Sequence, residues 1–233
     1  MLYRIVLSTF CFFIAINALA QNFEKPDYKS IEQTIKDKNS IWYYPSLMKR
    51  FRENDTTLTL RDYRMLYYGN FFQDDYPASP LSEDKDSLGS YIKRPLTPQN
   101  IHRVIETGEK CLTSAPFDIR TINILISAYI KNGDSITADK YRYKLRKIIG
   151  VILSSGDGLT EETAMHVLTV EDEYVILNVY GLDFVSQALT RQQCDYLEVK
   201  ANKENIKGLY FDVTMIFKYE YGKFLGSDNK NEK

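Results

Sequence analysis

Apolar residues recur at helical spacing through the first two thirds of the chain and at alternate positions in the last third. This change of period predicts an α+β fold. Ile31 and Ile35 mark a weak helical phase in a polar opening segment. Pro45 suits the first position of a helix whose apolar face is Leu47, Met48 and Phe51, ending at Asn54 and Asp55. Thr59 is placed to cap the next helix, with Asp62 near the positive end of its dipole and Tyr63, Leu66, Tyr67 and Asn70 along one face. These two helices read as a hairpin. From Gln73 to Pro98 the periodicity is lost among acids and the prolines Pro77, Pro80, Pro95 and Pro98, which predicts a functional loop or a mobile connection. Thr97 and Pro98 then open a helix carrying Ile101, Val104, Ile105, Cys111 and Leu112, which Pro116 ends.

Ile122, Leu125, Tyr129, Gly133 and Ala138 follow the spacing of a tetratricopeptide helix pair, although Ile126 stands where that repeat prefers a small residue. One pair cannot cover its own apolar face, so the N-terminal hairpin or the C-terminal region is expected to pack on it. After Ser154-Ser155-Gly156-Asp157-Gly158 the period falls to two, and Met165 to Val170 reads as a buried strand. Glu171, Asp172 and Glu173 suit the start of a short helix, Tyr174 to Tyr180, closed by Gly181, with a second strand as the alternative. Phe184 to Leu189, Tyr196 to Lys200 and Leu209 to Phe217 read as strands. The expected architecture is N-terminal helical hairpins, tetratricopeptide-like, packed on a small C-terminal antiparallel sheet. The helical region covers 21–156, the α+β region 157–226 and a polar tail 227–233.

The first twenty residues change the compartment. Arg4, the apolar run Ile5 to Ile16 and the small-x-small sequence Ala18-Leu19-Ala20 predict a secretory signal peptide over 1–20. The run is short for a membrane span, which needs about 20 apolar residues, so no transmembrane anchor is expected after cleavage. Phe10 before Cys11 argues against lipidation there. The expected location is periplasmic or secreted.

Charge narrows the function. The whole chain carries 30 basic and 31 acidic residues, and the leader holds one arginine and no acid. A balance this even, with its basic residues scattered, argues against nucleic acid as a partner. The nearest basic stripe, Arg142, Lys144, Arg146 and Lys147, reads as the solvated face of a helix. Cys111 and Cys194 sit in apolar contexts and read as buried, unpaired thiols. His102 and His166 have no ligand-spaced partner and no nucleophile motif beside them, so neither a metal nor a cofactor is expected. The segment from Trp42 to Tyr76 is rich in aromatic rings, and Tyr44, Tyr67, Tyr68 and Tyr76 are the candidate binding residues, flat apolar bodies with polar tips. Gly69, beside them, is expected to permit a close helix contact or a helix end.

Trp42-Tyr43-Tyr44-Pro45-Ser46-Leu47-Met48, Asp55-Thr56-Thr57-Leu58-Thr59-Leu60 and Leu66-Tyr67-Tyr68-Gly69 resemble a family of exported Bacteroidetes proteins known only as a domain of unknown function. Ser155-Gly156-Asp157-Gly158, Asp172-Glu173-Tyr174, Cys194-Asp195-Tyr196 and Tyr210-Phe211-Asp212-Val213 are similar to the same family. The resemblance implies an envelope or secreted location and carries no known activity. The reading is a noncatalytic module that binds a protein or glycan of the cell envelope through the helical groove near Tyr67 and Tyr68. The alternative is a hydrolase of envelope or dietary material using carboxylates at Glu171, Asp172 and Glu173.

Overall fold

The computed structural model describes residues 23–74, 76, 83–93 and 95–219. The expected signal peptide at 1–20 and the tail at 227–233 lie outside the described residues.

Local chemistry starts most of the helices. In α1 (Tyr28–Lys36), Asp27 accepts from the Ser30 amide at 3.0 Å, and Ile31 and Ile35 are buried. Helix α2 (Tyr44–Arg52) carries Pro45 in its first turn and buries Tyr44, Leu47, Met48 and Phe51. Helix α3 (Leu60–Asn70) opens with a capping box. The Asp62 amide donates to Thr59 Oγ1 at 3.2 Å while Thr59 N–H donates to Asp62 Oδ2 at 2.8 Å, satisfying two otherwise orphan donors. The segment expected to be irregular holds α4 (Glu83–Ile92), a polar helix with Leu88 as its buried anchor. Helix α5 is Ile101–Ser114, α6 is Ile119–Lys131 and α7 is Ser135–Leu153. Gly133, at φ 82°, makes the tight turn between α6 and α7 that a side chain would strain.

Helix α6 lies between α5 and α7, α4 packs on α5, and α3 packs on α1, α2 and α7. The N-terminal hairpin therefore covers α7, and α8 (Val170–Val179) covers part of α6. Helix α8 begins at the cap Thr169 with Glu171, Asp172 and Glu173 in its first turn, and Gly181 follows its end at φ 65°. The helical reading of this segment is correct.

Strands β1 (Met165–His166), β2 (Phe184–Leu189), β3 (Cys194–Val199) and β4 (Gly208–Asp212) form one sheet in the order β1-β4-β3-β2. The fold is α+β as expected, but the sheet is mixed. Strand β1 runs parallel to β4, and the other two pairings are antiparallel. Strand β1 keeps two residues only, because Val170 already begins α8. Strand β4 stops short of Phe217: the Asp212 carboxylate accepts from Thr214 N–H at 3.0 Å, and 214–219 turn into a helix. A single buried cluster runs from Ile31 and Leu47 through Tyr67 to Leu197, Phe211 and Met215, joining the helices to the sheet.

Gly69 stands where α3 meets α1. A Cβ there would lie 3.1 Å from Ile35 Cδ1 and 3.3 Å from Tyr44 Cδ2. Gly69→Leu is expected to destabilise the protein by about 3 kcal/mol in urea denaturation through overpacking. At Gly89 a Cβ would meet nothing within 4 Å, so Gly89→Ala is the control and is expected to be neutral or stabilising.

Candidate functional site

The four candidate tyrosines point mostly inward. Tyr44, at 6% exposure, donates to Asn70 Oδ1 at 2.9 Å. Tyr67, at 1%, donates to Asp172 Oδ2 at 2.7 Å and accepts from Leu168 N–H at 3.1 Å. Tyr68, fully buried, reaches the His166 carbonyl at 3.4 Å and lies under the Arg64 guanidinium. Tyr76 is half-buried, donates to the Leu168 carbonyl at 3.0 Å and packs against Phe71 and Tyr219. Tyr67, Tyr68 and Tyr76 thus tie the N-terminal region to the segment that carries β1 and α8. No open face of the first three rings is left for a ligand.

The acids after β1 are enclosed too. Burial pushes the Asp172 carboxyl up to about 7, against the pull of the Tyr67 hydroxyl. Glu173 is completely buried and pushed up to about 9, first by burial and then by the neighbouring Asp195. Neither Glu173 oxygen has a donor partner. Two ionised carboxylates only accept, so the Glu173–Asp195 contact becomes a hydrogen bond when Glu173 keeps its proton. Asp195 also accepts from Gln187 Nε2 at 2.6 Å. Glu171 is held 3.6 Å from Lys85, which also contacts Asp118 at 3.0 Å. A substrate would have to enter the core to meet Asp172 or Glu173.

His166 and Asp212 are partners across β1 and β4, and Cys194 is the partner of Asp212 across β3. His166 Nδ1 lies 3.7 Å from Asp212 Oδ1 and 3.5 Å from the Tyr28 hydroxyl. Burial lowers the imidazole's proton affinity despite Asp212. The Cys194 thiol is pushed up to about 11, mainly by burial, the opposite of an activated nucleophile. His102 is exposed on α5. Cys111 and Cys194 are both buried and free, as expected. Among the described residues no group of His, Cys, Asp and Glu is placed to hold a metal ion.

Open space lies elsewhere. A groove of about 320 Å³ is bordered by the end of α2 (Phe51, Arg52), by α5 (Glu109, Leu112, Thr113) and by α7 (Tyr141, Lys144), with Pro116 and Ile122 completing it. Tyr141 stacks on Tyr129, with ring centroids 5.8 Å apart and planes 19° from parallel. The Tyr129 hydroxyl donates to Glu109 Oε1. Lys144 Nζ sits 4.5 Å from the Phe51 ring centroid and 5.8 Å from that of Tyr141. Burial, and then the nearby Lys140, push its ammonium down to about 8. The basic stripe read as a solvated face is thus divided: Arg142 and Arg146 are exposed, while Lys144 turns into the groove. A spacing of three from Tyr141 to Lys144 was the one local signal, since it sets both on one helix face.

The helices therefore define an α+β protein whose ionisable core groups are sealed and whose open groove is aromatic and cationic. Residues 29–221 match the family described as a domain of unknown function, DUF4919, and the chain belongs to it. No curated protein and no solved structure matches the chain.

Proposed function

We propose that the protein is an exported, noncatalytic binding module of the periplasm or cell exterior that engages a protein or glycan of the envelope of a Bacteroidetes cell. The observation that carries this reading is the pairing of an open groove walled by Phe51 and Tyr141 with carboxyls that are buried away from any substrate. Aromatic walls supply a large contact area at small entropic cost, as binding surfaces require. The tetratricopeptide-like spacing of α6 and α7 suits the same role, because stacked helix pairs present grooves to partners. The leader supports export. Among the described residues no helix is long and apolar enough to cross a membrane.

The test is photocrosslinking in the native host, using the full chain with its leader. A benzophenone amino acid at Thr113, inside the groove, is expected to give a discrete adduct. The same group at Ser127, exposed on α6 and outside the groove lining, is expected to give none. Equal adducts at both positions, or none at Thr113, refute the groove as the binding surface.

A further inference from the structure

Lys144 is anomalous among the cations of the described chain. Its ammonium is half-buried between two aromatic rings, yet no carboxylate or hydrogen-bond acceptor among the described residues reaches it. Removing an ammonium from water without an anionic partner costs free energy that the quadrupoles of two rings return only in part. Arg52, exposed at the end of α2 in the same lining, makes no ion pair among the described residues. Glu109, the acid of the groove, already accepts from Tyr129. The groove thus offers one half-buried cation without a direct anionic partner, Lys144, with the exposed Arg52 also in the lining, and Phe51, Leu112, Pro116 and Ile122 supply its hydrocarbon border.

We infer that the groove takes an acidic peptide segment of a partner protein, placing one side-chain carboxylate on Lys144 and a neighbouring apolar side chain against Phe51, Leu112 and Ile122. This rests on the binding reading above and names its ligand class. The apolar border decides for peptide over an acidic glycan, because a sugar ring brings hydroxyls on every edge while the neutral hydroxyls of the lining are already engaged, Thr113 donating to the Glu109 carbonyl at 3.1 Å and Tyr141 hydrogen-bonding the Glu109 carboxylate. The carboxylate restores the missing countercharge, in a site where a charge-assisted hydrogen bond is poorly screened.

Titration gives an independent handle. Arg52 from α2, Glu109 from α5, and Tyr141 and Lys140 from α7 are the charged and titratable groups around Lys144. Since the Lys144 ammonium loses its proton near 8, affinity for a carboxylate falls as pH rises through that value.

The experiment is a ¹⁵N NMR titration with the capped peptide acetyl-Ser-Phe-Glu-Leu-Ser-amide, its Gln-for-Glu twin, and a glucuronic acid disaccharide. The Glu peptide is expected to shift the amides of Thr113 and Ile122 and to bind about tenfold more tightly than its twin. Lys144→Met is expected to erase that difference, Lys144→Arg to keep it, and the Glu peptide to weaken between about pH 7 and pH 9. Melting curves of both variants verify folding. Equal affinity of the twin peptides, shifts confined to other faces, or binding of the disaccharide alone overturns the inference. If it fails while the Thr113 crosslink persists, the ligand class is wrong and the binding reading stands. Loss of the crosslink as well removes both.

Discussion

Raising the pH from about 5 to about 9 is expected to cost the protein several kcal/mol of stability, and Glu173→Gln is expected to remove most of that loss. The sign follows from burial. The Glu173 carboxyl moves from an ordinary 4.5 to about 9 in the folded chain, and Asp172 from 3.8 to about 7. Across those windows the folded state keeps protons that the unfolded state has released, so stability is full below the ordinary values. It declines as pH climbs through the raised ones. A glutamine at 173 is neutral at every pH and can donate to Asp195 without holding a titrating proton. Thermal melts across this range are expected to place Glu173→Gln roughly 5 °C or more above the parent at the alkaline end. The gap should close under acid. Parallel profiles for the two proteins would show that the Glu173 proton is not linked to folding.

Gly156→Ala is expected to have an effect of similar or larger size, for a steric reason. A Cβ at this position would lie 2.1 Å from the Thr163 carbonyl oxygen and 2.6 Å from that of Ala164. Both obstacles are backbone, so no rotamer change relieves them. The loop is also pinned at both ends. Gly158 N–H donates to Thr163 O at 2.8 Å, Tyr210 N–H donates to Gly158 O at 2.8 Å, and the buried Ser155 hydroxyl accepts from His166 N–H at 2.9 Å. Moving the loop aside therefore breaks the connection to β1 and β4. A loss of more than about 3 kcal/mol is expected in urea unfolding, with Gly89→Ala as the open-site control. A melting curve like the parent's would mean that the loop yields at little cost.

The sequence made much of this architecture legible wherever a local rule and the tertiary demand coincide. Thr59 with Asp62, Pro45 near a helix start and the acids ahead of Tyr174 all mark helix beginnings through backbone chemistry that needs no neighbour. Helix α4 was not legible. Its residues are polar and flanked by prolines, and its order comes from packing Leu88 with Ile101, Val104 and Cys111 of α5. The overextended last strand has a related cause: aromatic and β-branched residues through Phe217 suggest a continuing strand, while the decisive signal is the Asp212 side chain turning the backbone at Thr214.

The candidate site was legible only in kind. Periodicity shows that Tyr63, Leu66 and Tyr67 share a face but not whether another element covers that face, and here β1, α7 and α8 lie over α3 and its tyrosines. The groove instead joins Phe51, Glu109 and Tyr141 from three separate helices. Each of the three reads on its own as an ordinary helix residue. Lys144 was visible as part of a basic stripe, but its inward turn depends on Phe51, which lies far away in the chain.

Helix α3 carries a consequence for how a chain of this kind can be inherited. Its Tyr67 hydroxyl caps a carboxyl of α8 and the amide of Leu168, while Tyr63, Leu66 and Tyr68 belong to the same cluster as the sheet residues Leu197 and Phe211. A transplant of residues 157–219 onto another scaffold would deprive Asp172 of the Tyr67 hydroxyl and the sheet of its cover. The reverse excision would bare a tyrosine-lined face on the helices. The two halves differ in secondary structure yet share one keystone, so they are bound to travel, duplicate and diverge together.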